Sequence, residues 1–446
     1  MAIAREAFGS RLGFILAAAG SAIGLGNMWR FSYQASEGGG AAFVLLYIAM
    51  TLLLGIPLLL AEFSLGRSAR LGPVGALRKI GGAHWSRLGY IFTAAGLLIL
   101  AYYSVIAGWT LRYALESLTG SLPSNAGEHF GQIAAGGSAV GYHLFFMLLT
   151  IGIVMAGVRA GIERASLLLM PMLFLIIIGL AIWASTLPGA AEGYLKYLKP
   201  NTEDFLNPAV WRAAAAQAFF SLSLGMGAML TFASYLSRDV NAPQAGTLVA
   251  LTDFSVAFIA GLVVFPVIFS FALQSAVGAS TVGALFIALP TAFAAMGPVG
   301  QAVGTFFFVA LAVGAITSAI SLLEVVTIWL IDEWQMSRKR AAITAGLSIT
   351  ALGIWPALNT DALGLMDKIA GELLLVFGTL MLAILVGWKA RDAMQAELEH
   401  GASPFWAAQV PRILAVLRWF VPPVVLVVLA FSANETWQMM RDFFGF

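Results

Sequence analysis

Apolar stretches long enough to cross a bilayer, roughly 20 residues each, recur along this chain with short polar breaks between them. Eleven are predicted, at about residues 11–36, 41–66, 88–118, 140–158, 164–187, 208–235, 245–273, 299–331, 340–357, 362–388 and 411–432. The apolar stretch around Ala284–Ala295 is bounded by Gly- and Pro-rich turns and too short to cross, so it is expected as a re-entrant or surface hairpin. The longest polar segments, around 119–138, 188–207 and 388–410, are loops of about 20 residues and append no soluble domain.

Composition agrees with that pattern. Of 446 residues 60% are hydrophobic and 10% charged, against about 25% charged in soluble domains, which leaves too little charge to wet a globular surface. Absence of cysteine excludes disulfides, thiol nucleophiles and thiolate metal sites, and a net charge of +2 offers no field for nucleic acid. With the N-terminus in the cytoplasm, 17 of the 24 basic residues fall on that side, among them Arg5, Arg67, Arg159, Arg338 and Lys389. The positive-inside rule then sets N-terminus in and C-terminus out. A cell inner (plasma) membrane is the expected location.

Two spans are interrupted. The first contains Gly20-Ser-Ala-Ile-Gly24-Leu-Gly26-Asn27 and the sixth Ser221-Leu-Ser223-Leu-Gly225-Met226-Gly227, each near the middle of its stretch. Each begins a half of five spans, 1–5 and 6–10, and an odd-numbered repeat inserts its second copy inverted, bringing both breaks to the midplane face to face. Unwound backbone in hydrocarbon is tolerable only where it lines a cavity or binds something. Small-residue helix packing explains Gly20-x3-Gly24 alone, but not the matched pair. The glycines are no dinucleotide fingerprint, because Trp29 stands where the third glycine belongs. The expected fold is therefore all-α and membrane-integral: eleven spans in a 5+5 inverted repeat (1–190 and 191–388), with 389–446 holding a cytoplasmic loop, the last span and an extracytoplasmic end.

With GSAIGLGNMWRF at 20–31, GIPLLLAEFSLGR at 55–67, AYYSVIAGWTL at 101–111, QAFFSLSLGMGAMLTFASYL at 217–236 and AITSAISLL at 315–323, the chain resembles the neurotransmitter:sodium symporter family from Arg5 to about Trp388. That resemblance implies sodium-coupled uptake by alternating access and two sodium sites. The first would use the Ala22 carbonyl, the Asn27 side chain, Ser221 and Asp253. The second would use the carbonyls of Gly20, Ile23 and Gly314 with the hydroxyls of Thr317 and Ser318. Sodium takes five or six hard oxygens, which freed carbonyls supply without charge; back-bonding to the preceding turn is the alternative reading of Thr317 and Ser318. Several relatives carry Asn where this chain has Asp253. Asp253 is expected to supply the anion that they obtain from chloride or another carboxylate, so no chloride is required, with protonation on the empty return leg.

The resemblance also implies a substrate pocket. N–H groups at Leu25 and Gly26, with the Tyr103 hydroxyl, would hold a substrate carboxylate, because half-helix N-termini carry partial positive charge. Carbonyls around Ala22 and Phe219–Ser221, with Ser223, would meet the amino group. Gly24 leaves room for the substrate's acid where amine-transporting relatives carry Asp. Ile99, Phe220, Ser223, Met226, Ser318 and Leu322 would surround the side chain of a neutral, hydrophobic or aromatic L-amino acid. Arg30 and Asp367 would form a water-mediated outer ion pair above Tyr103 and Phe220, and Arg5, Tyr235 and Asp332, with Glu324 nearby, would close the inner side. Phe8 stands where many relatives have Trp. Glu62 is read as structural, bonded to the first-span break. The spacing of Gly161 and Pro171 is one that some relatives use to unwind the fifth span.

Other classes fit less well. His84, His129, His143 and His400 fall in loops or at span ends, away from any intramembrane metal chemistry, and no GxxxxGK[ST] loop for a primary pump occurs. A non-transporting amino-acid sensor or an ion-leak channel on the same scaffold is the alternative.

Overall fold

A computed structural model describes residues 6–123, 125–273 and 284–445, and among them helices are the only regular secondary structure. The first predicted span is two helices, α1 (Arg11–Ala22) and α2 (Gly26–Glu37), meeting at 62°. Then come α3 (Ala41–Ala69), α4 (Ala83–Thr119), α5 (Gly137–Met155) and α6 (Val158–Ala184). The sixth span is again two pieces, α7 (Pro208–Ser221) and α8 (Ala228–Ala233). The chain continues through α9 (Ala242–Ser270), the short α10 (Leu285–Ala295), α11 (Pro298–Trp334), α12 (Arg338–Leu358), α13 (Thr360–Lys389) and α14 (Pro404–Phe444). Among the described residues nine helices are long and apolar enough to cross a membrane, and α1–α2 makes a tenth, bent span. Eleven were expected; where the other one was expected stands the α7–α8 pair, whose pieces of 14 and 6 residues are each too short to cross alone.

Side chains at the chain's turns explain where the helices start. Ser10 caps α1, its hydroxyl accepting the Gly13 N–H at 2.9 Å. Asn207 does the same for α7 through Ala209 N–H, with Pro208 supplying the preset φ of a first helical position. The second span after each break, α4 and α11, is 37 residues long, or about 55 Å at 1.5 Å per residue. That exceeds a hydrocarbon core of about 30 Å, so both must tilt or project beyond it. They pack against each other at the centre and are 78% buried over their most apolar windows, against 28% for α6 and α14, which face outward.

One expectation changes: His143, placed in a loop or at a span end, is buried inside the bundle, its Nδ1 2.9 Å from Ser104 Oγ and its Nε2 3.0 Å from the Thr350 carbonyl. The short α10, too short to cross, buries Phe286 and Phe293, with Phe286 against Trp109, Tyr113, Phe130 and Phe308; aromatic burial holds it in the fold. In this conformation α6 is continuous past Pro171 and opens with a π-helical turn at Val158–Glu163. A Cβ on Gly161 would strike the Ile153 carbonyl, so this glycine permits a close helix approach.

Candidate ion and substrate site

At the first break Ile23 turns extended (ψ 102°), and the Asn27 side-chain oxygen accepts the freed Gly24 N–H at 3.1 Å. At the second break Ser223, Gly225 and Gly227 have positive φ (52°, 79° and 74°). A Cβ at Gly225 would run into the Leu375 carbonyl, which leaves only glycine here. Unpaired N–H groups at the start of α8 meet Glu62, buried on α3, whose two oxygens accept from Gly225 (2.9 Å) and Leu230 (3.0 Å). Glu62 thus braces the sixth-span break and not the first, because α3 packs against α8 and the half-helix N-terminus needs an acceptor.

Asp253 on α9 is fully buried beside the first break. Its Oδ1 accepts the Asn27 amide N–H at 2.6 Å and its Oδ2 the Ser221 hydroxyl at 2.7 Å. Tyr47 on α3 brings its hydroxyl within 3.0 Å of Ser221 Oγ and 3.2 Å of Asp253 Oδ2. Tyr47 escaped sequence reasoning, since a tyrosine on an apolar span carries no local signal of what it faces. Among the described residues these partners of Asp253 are hydroxyls and an amide. Carboxylate and hydroxyl oxygens of Asp253, Ser221 and Tyr47 beside the Ala22 turn suit a hard monovalent cation, while Asn27 turns its amide N–H to Asp253 and its oxygen to the Gly24 N–H.

A second oxygen cluster lies between α1 and α11. The Ser318 hydroxyl is 3.4, 3.2 and 3.3 Å from the carbonyls of Gly20, Ser21 and Ile23. One O–H serves one acceptor well, so three carbonyls converging on it exceed its capacity and again suit a cation. Thr317 makes the back-bonds of any helical threonine, to Val313 (3.1 Å) and to the Gly314 carbonyl (3.0 Å). Gly314 packs against Gly24 and the Ile23 carbonyl. Ser21, which sequence reasoning missed, donates to Ser321 at 2.7 Å.

Between the two clusters a small cavity of about 30 Å³ is lined by Ala22, Gly24, Leu25, Gly26, Asn27, Ile99, Tyr103, Phe220, Ser221, Ser223, Met226, Ser318 and Leu322. Of the sequence-derived set Phe219 alone is absent from the lining: it is buried, with its carbonyl accepting the Leu224 N–H. Ser223 donates to the Ser21 carbonyl at 2.9 Å, tying the two breaks together, and Leu25 N–H donates to the Tyr103 hydroxyl at 3.3 Å. A Cβ on Gly24 would come within 2.7 Å of Ser318 Oγ and 2.9 Å of the Tyr103 hydroxyl.

Above the cavity the Arg30 guanidinium lies 4.7 Å from the centre of the Phe220 ring. The carboxylate directly paired with Arg30 is Glu372, at 3.7 Å, while Asp367 accepts the Tyr102 hydroxyl at 2.7 Å. Both acids sit on the π-helical stretch Asp367–Leu374, which sends Asp367 toward α4 and Glu372 toward α2. On the opposite side Tyr235 donates to Glu324, and Arg338 grips Glu324 at 2.8 and 2.7 Å. Asp332 accepts the Gly72 N–H at 2.6 Å, and Phe8 wedges between Phe14, Phe232 and Tyr235. Arg5 lies outside the described residues.

Opposed broken helices around a mid-bundle cavity, with oxygen clusters on either side and charged closures at both ends, define a secondary transporter. Residues 5–134 and 129–442 match the sodium:neurotransmitter symporter family, and the chain belongs to it. It is 35% identical over 437 residues to an uncharacterised sodium-dependent transporter of Bacillus subtilis, covering 94% of this chain and 96% of that one. A similar transporter of Methanocaldococcus jannaschii is 33% identical over 454 residues, covering 96% and 90%. The crystal structure of MhsT in complex with L-phenylalanine is 40% identical, with a TM-score of 0.86 over 96% of this chain and 100% of that chain. A bovine sodium-dependent neutral amino acid transporter, B(0)AT2, is 33% identical over 300 residues, 59% of this chain and 41% of its own length. The chain is thus a sodium-dependent, multi-pass membrane symporter, not an enzyme.

Proposed function

We propose that this symporter takes up a neutral L-amino acid with a hydrophobic or aromatic side chain, coupled to sodium at two sites and independent of chloride, by alternating access between the Arg30 and Tyr235 ends. The carrying observation is Gly24. A side chain there would run into Ser318 and Tyr103, so the chain places no acid of its own at this point, and the neighbouring N–H groups and hydroxyl can hold the acid group brought by the cargo. Apolar walls at Ile99, Met226 and Leu322, with Phe220, favour an uncharged side chain. MhsT with L-phenylalanine and the neutral amino acid carrier B(0)AT2 support the same substrate class. Asp253, buried beside Asn27 and Ser221, supports sodium binding without an external anion. The basic loops support a cytoplasmic N-terminus in a cell inner membrane.

Substrate and sodium reinforce each other because the first-break backbone serves both. A thermal-stability screen of twenty amino acids in sodium or potassium tests this reading: one or a few neutral amino acids should stabilise, and only in sodium. Stabilisation by a charged amine, or equally in potassium, overturns it. Sodium-gradient-driven accumulation in proteoliposomes then separates carrier from sensor, and removal of chloride should leave it unchanged.

A further inference from the structure

The charges above the pocket continue well beyond Arg30. Glu372 also pairs with Lys368 at 2.7 Å, Lys368 with Glu435 at 3.0 Å, and Glu435 with Arg212 at 2.9 Å. Five groups of alternating sign thus form one ladder: Arg30 on α2, Glu372 and Lys368 on α13, Glu435 on α14, and Arg212 on α7. Its two ends stand on the two half-helices that flank the pocket. α14 reinforces the middle rung, since Thr436 donates to the Lys368 carbonyl at 3.3 Å, and Arg212 rests 5.1 Å from the Phe431 ring centre. Side-chain exposure falls from 39% and 38% at Arg212 and Glu435 to 18% and 19% at Arg30 and Glu372, so Coulombic coupling strengthens toward the pocket.

We propose that Glu435, on the last and mostly peripheral helix, is a positioning residue of the outer gate, coupling closure of α7 to closure of α2. Lys368 divides its charge between Glu435 and Glu372. Glu435 draws it outward and leaves Glu372 available to Arg30, whose contact at 3.7 Å is the longest in the ladder. Without Glu435, Lys368 turns fully to Glu372 and competes with Arg30. Arg212 and Lys368 then face each other as like charges, which drives α7 away from α13. The inference rests on the alternating-access reading above.

The chain has no cysteine, so Ile99→Cys, in the pocket wall, reports access from either face to an impermeant maleimide. In this background Glu435→Gln should speed labelling from the Arg30 side about two- to five-fold, the effect of losing a partly exposed ion pair. Labelling from the Tyr235 side should be unchanged or slower, and Glu435→Asp should stay near the parent rate. Arg30→Gln is the control and should also speed labelling from its own side. Parental labelling in Glu435→Gln beside faster labelling in Arg30→Gln removes Glu435 from the gate while leaving the gate intact. Parental labelling in both overturns the gate itself, and the proposal with it. Faster labelling from both faces signifies a loosened fold and counts against the proposal. Should Glu435→Gln not fold, Arg212→Gln cuts the same rung at its exposed end, and parental labelling there overturns the coupling.

Discussion

Gly24 and Asp253 carry the most chemistry per atom. Gly24→Ala inserts a methyl group 2.7 Å from Ser318 Oγ, and overpacking of this kind costs about 1–3 kcal/mol. Sodium-dependent amino-acid binding, measured at equilibrium, should weaken by about tenfold or more while sodium alone still stabilises the protein. Asp253→Asn removes the buried negative charge but keeps the shape. Loss of one member of a desolvated charge pair costs about 2–5 kcal/mol, so sodium affinity should fall by at least about 30-fold, with chloride restoring part of it. A variant that keeps parental sodium affinity in chloride-free buffer would show that Asp253 is not the anion.

The elements owe their breaks to a few braces. Glu62 accepts two N–H groups at the second break, and each buried donor left unpaired costs about 1–3 kcal/mol. Glu62→Ala should lower the thermal midpoint more than Glu62→Gln, which keeps one acceptor oxygen; equal midpoints would mean that water or a neighbour takes over. The spans were legible in the sequence because hydropathy is a one-dimensional signal, and both breaks were legible because glycine and serine clusters interrupt it. What Glu62 touches was not, since α3 follows the first break closely along the chain yet packs its carboxylate against the second, which only the tertiary arrangement decides. The partners of Glu372, an intramembrane carboxylate with no assigned role, and of Arg338, counted among the cytoplasmic basic residues, escaped for a related reason. A charge has no assigned partner until the facing helix is known, and the π-helical turn that aims Asp367 and Glu372 at different helices leaves no local signature. Tyr47 needed α9 beside it to acquire a meaning.

For the molecule as a whole, the two oxygen clusters and the pocket share the backbone from Gly20 to Asn27, so ions and cargo should act as one thermodynamic unit. A ligand bound only by the folded state stabilises by about 2.7 kcal/mol at a hundred times its dissociation constant. The unfolding midpoint should therefore climb with the logarithm of sodium concentration, stay flat in potassium, and gain a further step from substrate in sodium alone. Identical steps in both salts would separate the sites energetically. Asp253 has a last consequence. Its partners here carry no formal positive charge, so once the cations have left on the inside, the carrier turns back either with a bare anion or with a borrowed proton. In the first case transmembrane voltage performs work on the unloaded half-cycle, about 2.3 kcal/mol per charge per 100 mV, and an interior-negative potential hastens turnover; in the second, the half-cycle is electrically silent and follows acidity instead. Turnover recorded under clamped voltage at two acidities distinguishes them.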